Sequence, residues 1–363
     1  MPDLSLSELL RPELAELRPY VPVHGDYSVR LDANEAPPLL GEAARGRLAE
    51  LAAATAWERS PDATMGELRQ AIARRSEVSA DEVLAGVGSD EVISLLLTVL
   101  SRPRGRLAAA TLITTTPTFV MYRMSARIRG LNVLEVPLDA SWDLSVAALE
   151  RAIEMSPPNL IFIASPNNPT GNVMDPGRLE QVIEAAAGAL VVVDEAYVDY
   201  ADRSALDLYR RHSNVALLRT LSKVGFAALR IGWMIARPEL VREVDKARLP
   251  YNLGSVTQRL GTAVLGELAP EVRALTETVV SERQRLAAAL AADERFEVTP
   301  SQANFLWLRT RRPAAEVFDA LGKRGILVRS FHPRGGRLAH QVRITIGTPE
   351  QNDAVLAALR EVA

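Results

Sequence analysis

Cysteine is absent from the 363 residues, which excludes disulfides, thiolate metal sites and cysteine nucleophiles. Histidine is scarce: His24, His212, His332 and His340 are scattered, without an HExxH or paired spacing, so no metal centre is expected. Neither sign of charge dominates. The 42 basic and 45 acidic residues leave a net of −3, without the basic stripe of a nucleic-acid or membrane-surface protein. No apolar run approaches the roughly 18 residues of a membrane span. The first ten residues are acidic and lack a basic segment before an apolar one, so they do not form a signal peptide. The expectation is a soluble cytoplasmic protein whose partners are neither nucleic acid nor membrane.

Apolar material, by contrast, is plentiful. At 48% hydrophobic residues, the chain can bury a large core or two smaller ones. Prolines at 12, 19 and 22 deny the N-terminus a long helix and mark an arm. From Val83 onward the pattern repeats as strand, turn, helix, with strands near 111–115, 131–137, 159–164, 189–193, 215–218 and 231–236. Ala189-Leu-Val-Val-Val193 is a continuous apolar run, as a parallel strand buried on both faces should be. After Trp233 helices at 238–248, 255–268 and 271–292 precede short strands and two more helices. The organisation expected is an arm over 1–35, a large α/β domain with a mostly parallel sheet flanked by helices over 36–250, and a smaller α+β domain over 251–363.

Polar residues gather where the apolar runs end. Gly86-Val-Gly-Ser-Asp-Glu91 opens a helix, with Ser89 or Asp90 suited to cap it and free N–H groups suited to an anion. A dinucleotide fingerprint would need glycine where Glu91 stands, so this is a phosphate cup for something other than NAD. Phe119 follows a strand and is either a stacking platform or core. Asp194 ends the most apolar strand, as a ligand contact or a helix cap. Thr220, Ser222 and Lys223 end the next strand, and Arg230 follows by seven residues. A lysine there is a reactive amine or a solvated loop residue, and only its neighbours can decide between the two.

Taken together, Asp32-Ala-Asn-Glu35, Gly86–Glu91, Pro117–Tyr122, Ser165-Pro-Asn-Asn-Pro-Thr-Gly171, Asp194-Glu-Ala-Tyr197, Thr220-Leu-Ser-Lys223, Gly325–Arg329 and Val342–Gly347 occur in an order that resembles fold-type-I pyridoxal-phosphate aminotransferases, most of all the histidinol-phosphate aminotransferases. The likeness spans essentially the whole chain. It implies the fold-type-I transferase fold, a homodimer and pyridoxal 5'-phosphate as cofactor. It implies Lys223 as the Schiff-base amine and proton carrier, Asp194 against the pyridine nitrogen, and Asn168 and Tyr197 at the phenolic oxygen. Ser89, Asp90, Glu91, Thr220, Ser222 and Arg230 would surround the phosphate, with Phe119 stacked on the ring. Tyr20, Asn34, Arg329 and Arg343 would meet the substrate, a phosphorylated amino alcohol or an amino acid paired with a 2-oxo acid. The same motifs occur in aromatic amino acid aminotransferases and threonine-phosphate decarboxylases, and a non-catalytic binding module is the distant alternative. One departure stands out: Ser60 occupies the place of a tyrosine that the family extends to the neighbouring subunit's cofactor phosphate.

Overall fold

A computed structural model describes residues 9–19, 21 and 23–362. Thirteen strands are present among them. β1 is Val29–Arg30, β2 Val83–Val87, β3 Thr111–Thr116, β4 Asn132–Pro137 and β5 Leu160–Ala164. β6 is Leu190–Asp194, β7 Val215–Thr220 and β8 Ile231–Ile235. The remainder are β9 Phe296–Thr299, β10 Phe305–Thr310, β11 Ile326–Leu327, β12 Arg329–Ser330 and β13 Gln341–Thr345. The expected α/β fold is the one observed.

Seven strands form the large sheet in the order β2-β8-β7-β6-β5-β3-β4. All run parallel except β8, which is antiparallel to both its neighbours. Because side chains alternate across a strand, each face of the sheet collects its own core. Val191 and Val193 join one cluster with Ile161, Ile163 and Leu217; Val192 joins the other with Leu160, Phe162 and Leu218. Every one of these side chains is fully buried, each worth about 1.5–3 kcal/mol of transfer free energy. The continuous apolar runs in the sequence follow directly, since a strand covered on both sides has no polar face to show.

Helices Gly88–Val99, Met121–Ile128 and Pro238–Asp245 cover one face. Gly66–Ser76, Pro176–Ala185 and Ser255–Leu265 contribute to the core on the other, which runs on without a break into the small sheet. That sheet is antiparallel, in the order β12-β13-β10-β9. The apolar run Ile326-Leu-Val328 reads in the sequence as one short strand, but the segment 326–330 is not continuous. It divides instead: β11 pairs with β1 near the N-terminus, and β12 pairs with β13. Ser89 and Asp90 do not cap their helix, which begins one residue earlier at Gly88 with no side-chain cap. Among the described residues no helix is long and apolar enough to cross a membrane.

Candidate active site

Three adjacent strands of the large sheet deliver their carboxyl-terminal residues to one place. β5 leads to Asn168, β6 ends at Asp194 with Tyr197 on the following turn, and β7 leads to Lys223. Parallel strands make this convergence unavoidable, because their carboxyl ends share an edge. Lys223 Nζ lies 5.8 Å from the centroid of the Tyr197 ring. The Lys223 carbonyl accepts a hydrogen bond from the Tyr200 hydroxyl.

Asp194 is 4% exposed. Burial pushes its carboxyl up to about 6, against the pull of the Tyr122 hydroxyl, the Ala196 N–H and the charge of Lys223. The Tyr122 hydroxyl donates to one carboxylate oxygen and Ala196 N–H to the other, at 3.0 Å. Tyr122 is fully buried and stacks on Phe162 with centroids 4.9 Å apart. It was not among the expected site residues. A tyrosine on an apolar helix face reads as core, and its only signal was its place three residues after Phe119. Phe119 itself is partly buried and meets the Tyr122 ring edge-on at 5.5 Å.

The anion cup is built from close backbone approach. Gly88 has φ +71°, and a Cβ on Gly232 of β8 would lie 2.2 Å from the Ser89 nitrogen. No other residue could stand at 232 while the strand presses this closely on the helix start. Arg230 has φ +51°, a left-handed backbone that costs an arginine on the order of 1 kcal/mol or more. That backbone turns the guanidinium over Gly88, 3.4 Å from Asp90 Oδ2 and 3.5 Å from Ser222 Oγ. Thr220 Oγ1 donates to the Ile231 carbonyl at 2.9 Å and lies 3.0 Å from Ser222 Oγ. The Asp90 carboxylate is thus engaged with Arg230, leaving its backbone N–H as the group directed to an anion. Glu91 serves the turn itself: its carboxylate accepts from Val87 N–H at 2.6 Å and from the Asn252 amide at 2.8 Å.

The small sheet supplies the cations. Arg343 and Arg329 are directly paired across β13 and β12, so two like charges share one face. Arg343 is 7% exposed and donates to Asn168 Oδ1 and to the Asp32 carbonyl. Asn34 is 1% exposed, and its amide donates to the Tyr197 hydroxyl at 2.9 Å. It also shares a hydrogen bond with Thr345, while Asn304 donates to its carbonyl. Asn34, expected at the substrate, is therefore engaged with Tyr197. Tyr20 lies outside the described residues, and Ser60 is exposed.

Away from this edge, Glu180, Glu184 and His212 place ligand atoms within 4.8 Å of one another. Glu180 there already bonds Arg211 and His212.

Comparison with known proteins gives these residues a context. A family model described as aminotransferase class I and II matches residues 28–359. The histidinol-phosphate aminotransferase of Methylibium petroleiphilum is 37% identical over 360 residues, covering 98% of this chain and 95% of that protein. Its namesake from Chromobacterium violaceum is 38% identical over 359 residues, 98% of each chain. Among solved structures, the fold is shared with the histidinol-phosphate aminotransferase of Sinorhizobium meliloti in complex with pyridoxal-5'-phosphate. That likeness has a TM-score of 0.84 at 24% identity and covers 97% of this chain and 96% of the other.

Proposed function

The chain belongs to the class I and II aminotransferases, and from that premise we propose that it moves the amino group of histidinol phosphate to 2-oxoglutarate, with pyridoxal 5'-phosphate as its bound cofactor. The observation that carries this reading is the convergence of Lys223, Tyr197 and the buried Asp194 beside an uncapped helix N-terminus.

The residues present fit the cofactor. The cup at Gly88 to Asp90 is a cradle that a Cβ on Gly232 would fill, and its donors are the N–H groups of Ser89 and Asp90, hydroxyls and a guanidinium, which suit a phosphate dianion. Asp194 is a buried carboxylate whose ionised form lacks a full counter-charge at hydrogen-bond distance among the described residues, so a protonated ring nitrogen would complete it. When bound, the cofactor supplies the electron sink for breaking a bond at the substrate's amine-bearing carbon.

The protein's part is to bind, orient and move protons. Ser89, Asp90, Thr220, Ser222 and Arg230 would hold the phosphate, and Phe119 would face the ring. Lys223 Nζ is the amine that takes and returns the proton. The Tyr197 ring lies beside it, and Tyr197 and Asn168 would offer the cofactor a hydroxyl and an amide. Arg343 and Arg329 gain most from an anion, because a phosphate or carboxylate between them removes their mutual repulsion. One arginine pair can thus receive the phosphate ester of the donor and a carboxylate of the acceptor in turn.

We also infer a cytoplasmic homodimer. Trp57, Leu249 and Tyr251 are 73%, 72% and 52% exposed, and Arg248 bonds the carbonyl of Ala63, so the two segments carrying them are joined. Large apolar side chains left in water in this way suit a partner surface. Light scattering of the cofactor-loaded protein tests it, and a monomer would end the idea. The division into arm, large domain and small domain at 35 and 250 is kept as part of this proposal, with Ser255–Leu265 packed on Gly66–Ser76 as the connecting helix.

The test of function is the visible spectrum of the reconstituted protein and its change on adding single substrates. Histidinol phosphate should alter the spectrum faster than phenylalanine or threonine phosphate. A preference for phenylalanine would overturn the substrate, and absence of any visible band would overturn the cofactor.

A further inference from the structure

The long helix Ala269–Ala291 places one arginine, Arg283, inside the protein at 7% exposure. Its Nη1 donates to two carbonyls, that of Tyr200 at 3.1 Å and that of Ala303 at 2.9 Å. Burial lowers its pKa, with Asp202 the acidic group that opposes this. Among the described residues no carboxylate hydrogen-bonds it, so the desolvation cost of the guanidinium is not met by an ion pair. Nor is dense packing the reason for it, because an open cleft of about 660 Å³ borders Arg283 between this helix and the segment 298–302. A buried charge that ends on two backbone oxygens is a directional fastener.

What it fastens is the site. Tyr200 is 3% exposed, and its hydroxyl donates to the carbonyl of Lys223. The second carbonyl belongs to Ala303, whose neighbour Asn304 donates to the Asn34 carbonyl at 2.9 Å. Asn34 then donates to the Tyr197 hydroxyl at 2.9 Å. The same loop is tied to the loop carrying Asn168, through Gln302 N–H to the Gly171 carbonyl at 2.7 Å. One guanidinium therefore begins two chains, one ending on the backbone of Lys223 and the other on the hydroxyl of Tyr197.

We propose that Arg283 is a positioning residue for the transfer reaction, setting the separation of Lys223 and Tyr197 by holding Tyr200 and Ala303 at once. It touches no reacting atom and acts through these two intermediates. The proposal rests on the aminotransferase reading of the site, so wild-type spectrum and turnover are measured first; their absence would defeat that reading and not this one.

The experiment compares Arg283→Met, Arg283→Lys and Tyr200→Phe as cofactor-loaded proteins. Arg283→Met keeps the length of the side chain and removes its donors. Expected are a fall in kcat of about tenfold with KM for the amino donor changed less than about threefold, and a shift of about half a unit or more in the pH midpoint of the visible band, because the charged and hydroxyl neighbours of Lys223 move. Arg283→Lys should recover part of both. Tyr200→Phe should reproduce part of the shift, and added to Arg283→Met it should produce less than the sum of the two. A folded Arg283→Met protein with wild-type midpoint and kcat, merely lower in melting temperature, would show a structural role and overturn the proposal. If Arg283→Met does not fold, Arg283→Lys decides: a wild-type midpoint and kcat overturn the proposal, and a midpoint shifted in the same direction as in Tyr200→Phe upholds it.

Discussion

The two sheets handle charge in opposite ways. In the large, mostly parallel sheet β5, β6 and β7 carry no polar residue before their last two positions, and the polar groups wait at the carboxyl ends. In the small antiparallel sheet an arginine sits in the middle of a fully buried strand, Gln341–Thr345, opposite a second arginine. The difference follows from how each sheet is covered. A parallel strand packed on both faces has no room for a charge except at its ends. An antiparallel pair brings two side chains on one face within about 5 Å, so it can present two cations to a single anion. The first arrangement suits a cofactor held at an edge, and the second suits the recognition of a phosphate or carboxylate.

Separate labour predicts separable failure. The largest effect is expected from Lys223→Ala at the parallel edge, which should lower kcat by roughly 10³-fold or more. The variant should nevertheless still bind the phosphorylated substrate, measured by calorimetry, because the arginine pair is untouched. Loss of binding along with turnover would break the division. Arg343→Lys is the converse. It should keep the visible band of the cofactor-loaded protein while lowering kcat/KM for both anionic substrates by roughly 10²-fold, since a lysine cannot reproduce a guanidinium fork that reaches Asn168 and the Asp32 carbonyl. A variant that loses its band, or discriminates between the two anions, would show that the sheets do not act independently.

The same contrast decides what is legible in the sequence. Strands such as Leu190–Asp194 are visible in sequence because double burial removes polar residues from all but their last position. Asp194 is visible because it ends such a run, and Lys223 and Arg230 because they stand in the short stretch between two of them. The split of residues 326–330 between two sheets is not visible, since it depends on β1, almost 300 residues earlier. The missing cap on Gly88–Val99 is hidden for a similar reason: Asp90 is drawn to Arg230, 140 residues away. Tyr122 escaped notice, and Asn34 is expected at the substrate rather than at Tyr197, because each is defined by a partner in space, Asp194 for one and Tyr197 for the other. Spacing along a chain reports periodicity and loop chemistry, and it is silent on which distant side chain a hydroxyl will meet.

A second comparison lies within the large sheet, between its centre and its edge. Asp194 at the end of central β6 carries a carboxyl at about 6. Its native form binds a proton more tightly than the unfolded chain, whose carboxyl sits near 3.9. Stability from this group is therefore greatest below about pH 4 and is lost as pH rises through about 6, a loss of about 3 kcal/mol at most. Asp194→Asn should make the cofactor-free protein more stable at pH 7 by up to about that amount while sharply reducing turnover, a trade between stability and activity. Thermal unfolding of both proteins from pH 4 to 7 checks it. Curves that stay parallel over that range would mean Asp194 is not held as a strained carboxylate.

Asp139, just beyond the end of edge strand β4, should respond with the opposite sign and the smaller effect. Partial burial raises its carboxyl, but the Arg178 guanidinium, the N–H groups of Asp143 and Ser141 and the Ser141 hydroxyl together bring it down to about 2. Its side chain is 28% exposed, so solvent screening reduces what the shift is worth, to about 1–2 kcal/mol. That contribution is fully present above about pH 4 and disappears as pH falls towards 2. Asp139→Asn should accordingly destabilise the protein at pH 7 by about 1 kcal/mol and leave kcat unchanged, with the gap to wild type closing in acid. If Asp139→Asn and Asp194→Asn moved stability in the same direction at pH 7, burial alone would be setting both carboxyls. Opposite signs would show that hydrogen-bond donors at the edge, and their scarcity at the centre, decide which aspartate supports the fold and which is kept for chemistry.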